Sequence, residues 1–307
     1  VGESVQDSAL RRSHRSLRDY AEALLPRLVL GPTLLCALVF VYGFILWTAW
    51  LSFTESRLLP RYDFAGLVQY AALFANERWW TALSNLAIFG GLFIAVCLAT
   101  GLLLAVLLDQ RIRAEGFLRA IYLYPMALSF IVTGTAWKWI LNPGLGLQHL
   151  VRGWGYEGFT FEWITTPGLS IYAVVLAGAW QSSGFVMALF LAGLRGVDDA
   201  VIKAAQVDGA GPVRIYASIV IPSLRPVFLS ALIILAHIAI KSFDLVMALT
   251  GGGPGFSSDL PATFMYTFAF NRNQIGLGAA SAMMMLMTVV AILVPMIYAE
   301  TRRHRRG

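Results

Sequence analysis

Long stretches without a charged residue dominate this chain and decide what it can fold into. No Asp, Glu, Lys or Arg occurs between Arg27 and Glu55, between Arg78 and Asp109, between Glu162 and Arg195, or between Arg272 and Glu300. A helix that crosses the hydrocarbon core needs about 20 mostly apolar residues, and each of these runs is long enough. Two further runs carry little charge. One follows Arg119 and reaches Leu141, with Lys138 near its end; the other follows Arg225 and reaches Thr250, with Lys241 and Asp244 inside it. The pattern predicts an all-α integral membrane protein with six spans, at about 28–52, 80–108, 120–141, 168–194, 226–250 and 274–299. Composition agrees: 58% of the 307 residues are hydrophobic and 13% are charged, where soluble domains run near half and a quarter. A single soluble domain is excluded, and so is disorder, because a chain this apolar collapses or inserts.

The basic residues assign the orientation. Sixteen Lys and Arg fall in the N-terminal tail, the segment 109–120, the loop 195–225 and the C-terminal tail. Five fall in the alternate segments: Arg57, Arg61, Arg78, Arg152 and Arg272. Cytoplasmic loops collect Lys and Arg, so both termini are expected inside. The organisation expected is a cytoplasmic tail over 1–27, a membrane domain over 28–300 and a basic cytoplasmic tail over 301–307. The first apolar run is too long, and its leading tail too extended, for a cleaved signal peptide. The net charge of +6 flanks apolar runs rather than forming a stripe, so no nucleic-acid partner is expected; the bilayer is. The tryptophans Trp47, Trp50, Trp79 and Trp80 lie near span ends, as an interfacial belt would place them.

Several chemistries are missing from the sequence. A phosphate-binding P-loop needs a Gly-Lys pair, and none of the three lysines, Lys138, Lys203 and Lys241, follows a glycine. ATP, if used, is expected on another chain. There is no Gly-x-Ser-x-Gly and no His-Glu-x-x-His, and the histidines His14, His149, His237 and His304 are scattered. Cys36 and Cys97 lie in apolar runs without metal or redox spacing. The cluster Met283, Met284, Met285 and Met287 is expected to pack rather than to bind metal. An enzyme active site is not expected, nor is a metal or cofactor in this chain.

The loop between the fourth and fifth runs carries the most specific pattern. Val197 to Pro222 reads as a short helix, a glycine turn and a second amphipathic helix. Asp199 is placed to cap the first helix, Gly209 and Gly211 to reverse the chain, and Pro212 to open the second. Ile215, Ile219 and Pro222 share an apolar face. Such a pair of helices suits a groove on a partner. In this loop Ala204, Ala205, Gly209, Ile219 and Pro222 stand at the spacing of the Glu-Ala-Ala loop of permease subunits from ATP-binding-cassette importers, and the chain resembles that family. Asp208-Gly209-Ala210 matches the common core of the motif; Lys203 and Ile221 depart from the usual Glu and Leu.

Other stretches extend the resemblance over about residues 25–300. Leu249 to Pro254 resembles the Gly-Gly-Pro turn of carbohydrate permeases. Leu123-Tyr124-Pro125 and Trp137 to Pro143 resemble their third span. The chain is similar to the larger maltose-permease type of subunit, without its extra N-terminal spans and large outer domain. Residues 203–209 and 237–244 look like glucose/mannose permease subunits.

The resemblance implies the type I importer permease architecture and four partners: a second homologous permease, two ATPase subunits holding ATP and Mg, an extracytoplasmic sugar-binding protein, and a sugar. It implies that Lys203, Ala204, Ala205, Asp208, Gly209, Ala210, Gly211, Pro212, Ile219 and Pro222 form the loop docking on the ATPase. It also places Trp180, Gln181, Ser182, Ser183 and Phe185 in the stretch that contacts sugar. The residues add a second candidate for the path. His237, Lys241 and Asp244 are spaced i, i+4 and i+7, so one continuous helix puts them on one face with Ser242 nearby. Charge inside a span is costly and usually faces a cavity or a partner charge. A Lys241–Asp244 pair joining two helices is the structural alternative for that face, as packing is for the 180–185 stretch. The function expected is a permease subunit of an ATP-driven sugar importer, with a monosaccharide such as glucose or mannose as substrate. Another carbohydrate, a polyol or glycerol phosphate is the alternative within the class, and an ion-coupled secondary transporter the alternative outside it.

Overall fold

The computed structural model describes residues 30–59, 61–110 and 112–304. Among them it is helical, with a single isolated bridge between Thr54 and Phe64 and no strand. The expected tail 1–27, Arg111 and the final residues 305–307 lie outside the described residues. The chain divides into two compact units, Val1–Leu51 and Ser52–Gly307.

The described part of the first unit is one helix, α1 (Leu30–Leu51). Its 22 residues rise about 33 Å, close to the thickness of a hydrocarbon core. It is apolar all round and widens by one residue per turn over Leu38–Gly43. Most of its large side chains are exposed, as suits a helix facing lipid or other membrane helices.

The second unit runs α2 (Val68–Phe74), α3 (Glu77–Asp109), α4 (Glu115–Leu123), α5 (Phe130–Ile140), α6 (Leu147–Gly153), α7 (Ser170–Leu194), α8 (Asp199–Val207), α9 (Pro212–Ser223), α10 (Arg225–Ile240), α11 (Asp244–Leu249), α12 (Pro261–Tyr266) and α13 (Ile275–His304). Its spine is the packing of α3 along α7. A Cβ on Gly101 of α3 would lie 2.6 Å from Val186 Cγ1 of α7, so a bare glycine is what lets these backbones approach. Phe89, Phe93, Met187, Phe190, Leu235 and Leu245 bury themselves around this pair. A smaller cluster of Leu73, Trp79, Phe264, Phe268 and Leu277 joins α2, α12 and α13 to the start of α3.

Four helices are long and apolar enough to cross a bilayer alone: α1, α3, α7 and the stretch Ile275–Ile292 of α13. Two bent pairs bring the number to six. The third and fifth runs both depart from the continuous helix expected. The third run turns by 100° between Glu115–Ala127 and Phe130–Ile140. Pro125 sits in the turn Tyr124–Ala127, where it withholds a backbone donor. Ser129 then restarts the helix by accepting a bond from the Val132 amide at 3.3 Å. The 61° bend of the second pair lies between Ser223 and Arg225, where the loop helix meets the fifth run; the fifth run itself breaks after Ile240, so α10 and α11 are separate helices.

At the N-terminal end of α3 a buried ion pair fixes the chain between α11 and α12. Arg78 Nε donates to Asp259 Oδ2 at 2.6 Å and its Nη2 to Thr267 Oγ1 at 3.2 Å. The guanidinium also lies 4.2 Å from the ring centre of Phe256. Asn85 Nδ2 donates to the carbonyls of Phe256 and Asp259, both at 3.0 Å. Removing one member of a buried pair leaves the other charge uncompensated, at a cost of about 3–5 kcal/mol. Asp259→Ala is therefore expected to lower stability by about 3 kcal/mol in reversible detergent unfolding, and Asp63→Ala, on an exposed loop, to leave it unchanged.

Candidate functional site

The two helix breaks lie next to each other. α5 packs on α11, and Phe130 at the start of α5 meets Ile238, Lys241, Ser242, Phe243, Asp244 and Leu245 around a cavity of about 80 Å3. The expectation that His237, Lys241 and Asp244 share one helix face does not hold. α10 ends at Ile240; Lys241 closes it, its amide donating to His237 O at 3.3 Å, and Asp244 opens α11. The physical reason is the helix dipole. A cation is stabilised at a C-terminal end and an anion in a first turn, so this pair of charges favours two helix ends over one helix middle. Lys241 and Asp244 border the same cavity, with no ion pair between them among the described residues. Ser242 is buried between them, while His237 is exposed and does not line the cavity.

The 180–185 stretch of α7 meets the other break. Gln181 is buried and its Nε2 donates at 2.7 Å to the carbonyl of Leu128, which the turn has released from its helix. Gly184 makes room for the bend, since a Cβ there would fall 1.9 Å from Tyr122 O. Ser183 Oγ is engaged by Ala179 O at 2.5 Å and Thr100 Oγ1 at 2.9 Å, and Ser182 is buried. Phe185 is half-buried against the core. Trp180 alone of these five turns outward, 42% exposed, with its ring edge-on to Trp137 at 5.8 Å. Spare hydrogen-bonding capacity remains near the turn: Gln181 Oε1 and Thr133 Oγ1 are buried without a partner. Sequence reasoning missed Phe130, Trp137 and Leu128; the visible signal was Pro125, which marks a break in an apolar run.

The loop 195–225 forms two helices joined by a turn. Asp198, not Asp199, caps α8, its Oδ1 accepting from the Ala200 amide at 2.8 Å; Asp199 is the first helical residue. Gly209 takes φ +79°, a left-handed conformation that a side chain disfavours. Gly211 precedes Pro212, which starts α9. Ala205 and Ala210 are half-buried, and the Ala210 amide bonds Ala205 O at 2.9 Å. Lys203, Ala204 and Asp208 are exposed, Ile219 and Pro222 are half-buried, and Ile215 is buried. The exposed surface is partly apolar, with Val201, Val207 and Val213 uncovered.

Two contacts tie this loop to the bundle. Arg195 pairs with Glu115 at the start of α4. Tyr216 donates to Asp109 Oδ2 at the end of α3 and accepts from Gln110 Nε2, both at 3.1 Å. Burial, reinforced by the neighbouring Asp109 carboxylate, raises the Tyr216 phenol above its usual pKa, so it stays a donor well into the alkaline range.

The bundle holds two broken helices and a helical hairpin between α7 and α10, and its sequence places it in the class of importer permeases. Residues 98–303 match the family of binding-protein-dependent transport system inner membrane components, and the chain belongs to that family. It is a multi-pass inner membrane protein. It is 34% identical over 267 residues to the xylose/arabinose import permease protein of Haloferax volcanii, covering 86% of this chain and 84% of that one. It is 32% identical over 291 residues to the trehalose/maltose transport system permease protein MalF of Thermococcus litoralis, covering 94% and 96%. Its fold matches a chain in the crystal structure of a bacterial alginate ABC transporter in complex with an alginate pentasaccharide-bound periplasmic protein. That match has a TM-score of 0.81 at 20% identity, over 94% of this chain and 98% of the other.

Gln181 is buried and bonded while Trp180 is half in the open, so the two are expected to differ in their effect on stability. Gln181→Leu strands the Leu128 carbonyl and is expected to cost about 1–3 kcal/mol, read as a lower melting temperature of the purified chain. Trp180→Ala is expected to leave the melting temperature unchanged, because the side chain is half in the open.

Proposed function

We propose that this chain is one permease subunit of an ATP-driven sugar importer, and that the observation carrying the reading is the meeting of two broken helices at a small cavity whose largely apolar wall carries Lys241, Ser242 and Asp244. Helix breaks at membrane depth are tolerated where they line a path or are buried in protein, and they leave backbone and side-chain groups free for a solute. Lys241, Ser242 and Asp244 border the cavity and supply donors and acceptors to sugar hydroxyls. Trp180, paired with Trp137, offers an aromatic face, while Gln181, Ser182, Ser183 and Phe185 shape the wall behind it. His237 contributes to the path only from the exposed side of α10. This chain's work is differential binding and conformational change.

In this reading both termini are cytoplasmic and the loop 197–222 docks on an ATPase subunit. Val201, Val207 and Val213 give it an uncovered apolar surface, which suits a protein groove better than water. ATP and Mg reside on two ATPase partners, a second homologous permease completes the path, and an extracytoplasmic binding protein delivers the sugar. The family membership leaves no place for the ion-coupled alternative.

For the substrate we infer a monosaccharide of the glucose/mannose kind. The support is the resemblance of residues 203–209 and 237–244. Relatives sharing about a third of their residues are named for pentoses and for disaccharides, so sugar size is what the test must resolve. Uptake of labelled glucose by vesicles carrying the whole importer is expected to be blocked by unlabelled mannose. It is not expected to be blocked by maltose, xylose or glycerol phosphate. Block by glycerol phosphate with no effect of mannose would replace the monosaccharide reading with an anionic one built on Lys241.

The loop yields a second test. Gly209→Asp puts a β-carbon and a charge at φ +79° and is expected to abolish sugar-stimulated ATP hydrolysis while the chain still inserts. Lys203→Glu, on an exposed position, is expected to transport like the parent. Normal transport by Gly209→Asp would remove the docking role from this loop.

A further inference from the structure

Where α2 and α13 begin, a loop within the second unit is held in place by hydrogen bonds. The Ala65 amide donates to Phe53 O at 2.8 Å, the Gly276 amide to Ser56 O at 3.0 Å, and Gln69 Nε2 to Thr54 O at 3.0 Å. Ser56 Oγ donates to Arg61 O at 2.6 Å. This frame presents Arg57, Leu58, Leu59 and Arg61, and the two leucines are 69% and 81% exposed. Together with Glu55 and with Arg272, Asn273 and Gln274 ahead of α13, they line a cleft of about 610 Å3. A second hollow of about 260 Å3 shares Glu55, Arg57 and Gln274 with it and adds Gln69.

The charges in this cleft are not balanced within the chain. Three guanidinium groups face one carboxylate. Among the described residues, Arg57, Arg61 and Arg272 have no carboxylate within ion-pair distance. Arg272 is steadied by the ring of Phe268, 4.7 Å away. Planar guanidinium forks match carboxylates in bidentate fashion, and arginine with nearby aliphatic surface is a recurrent anchor of protein interfaces.

We infer that this cleft is the seat of an acidic loop on the extracytoplasmic binding protein, an assignment that rests on the importer function proposed above. The Lys/Arg bias puts the cleft on the outer face, where that protein must land. A protein loop fits better than the phosphate layer of the bilayer for two reasons. The cleft carries Glu55, which phosphates repel and a partner's Lys or Arg can pair with. It also carries the amides of Asn273 and Gln274, which need both donors and acceptors opposite them. Leu58 and Leu59 then cover the rim and keep water from the ion pairs.

The test uses the whole importer, reconstituted in nanodiscs of phosphatidylcholine alone, with its sugar-loaded binding protein titrated onto it. Replacing Arg57, Arg61 and Arg272 together by Ala is expected to weaken binding about tenfold or more and to flatten its salt dependence. Their replacement by Lys is expected to keep the salt dependence and recover part of the affinity. ATP hydrolysis without binding protein, which does not involve this face, is the control for intact assembly and is expected to stay at the parent level. Unchanged affinity and salt dependence in the Ala variant would overturn the inference. So would a loss seen only in discs containing anionic phosphatidylglycerol, which would assign the arginines to lipid. Failure of the parent chain to assemble with an ATPase or to respond to any binding protein would instead strike the importer reading.

Discussion

A backbone carbonyl that leaves its helix inside a membrane has no water to turn to, and the arrangement of this bundle follows from that constraint. The bend after Ala127 frees the carbonyl of Leu128, and the nearest helix answers with a side-chain amide, Gln181 Nε2, at 2.7 Å. The bond needs α7 to lie closer to the turn than two side-chained helices allow, which Gly184 permits. With the turn pinned to α7, α5 leaves it in a new direction and meets α11 beside the second break. One polar bond and one missing side chain therefore place both helix interruptions around the same cavity.

The second break is stabilised differently. Lys241 and Asp244 each sit at the helix end whose dipole suits their charge, so the interruption costs less than the same charges would in mid-helix. Neither is consumed by an ion pair with the other among the described residues. The two charges are therefore not locked together as a tight pair would be.

What could be read from the amino-acid order was what repeats or clusters along the chain. Charge-free runs and the bias of arginines are one-dimensional signals, and so is the 203–222 spacing. The breaks were harder, because an apolar run with Pro125 inside it looks the same whether the helix bends slightly or turns by 100°. Spacing alone made His237, Lys241 and Asp244 a stripe, since the argument assumed an unbroken helix. That Gln181 bonds Leu128, 53 residues away, is visible only in three dimensions. Arg78 and Asp259, 181 residues apart, belong to the same class of long-range fact.

Those long-range contacts give α3 a particular place in the molecule. Its 33 residues make a rod about 50 Å long. One end is tied through Asp109 and Gln110 to Tyr216 of the loop 195–225, and the other through Arg78 and Asn85 to the segment around Asp259. Between the ends, Gly101 holds it tightly against α7. A helix clamped in this way moves as a body or not at all, because sliding would break a buried ion pair and unseat a close backbone contact together. The cavity at the two breaks lies on α5, α10 and α11, outside that rod, so the bundle's rigid tie between its ends and its interrupted helices are separate parts.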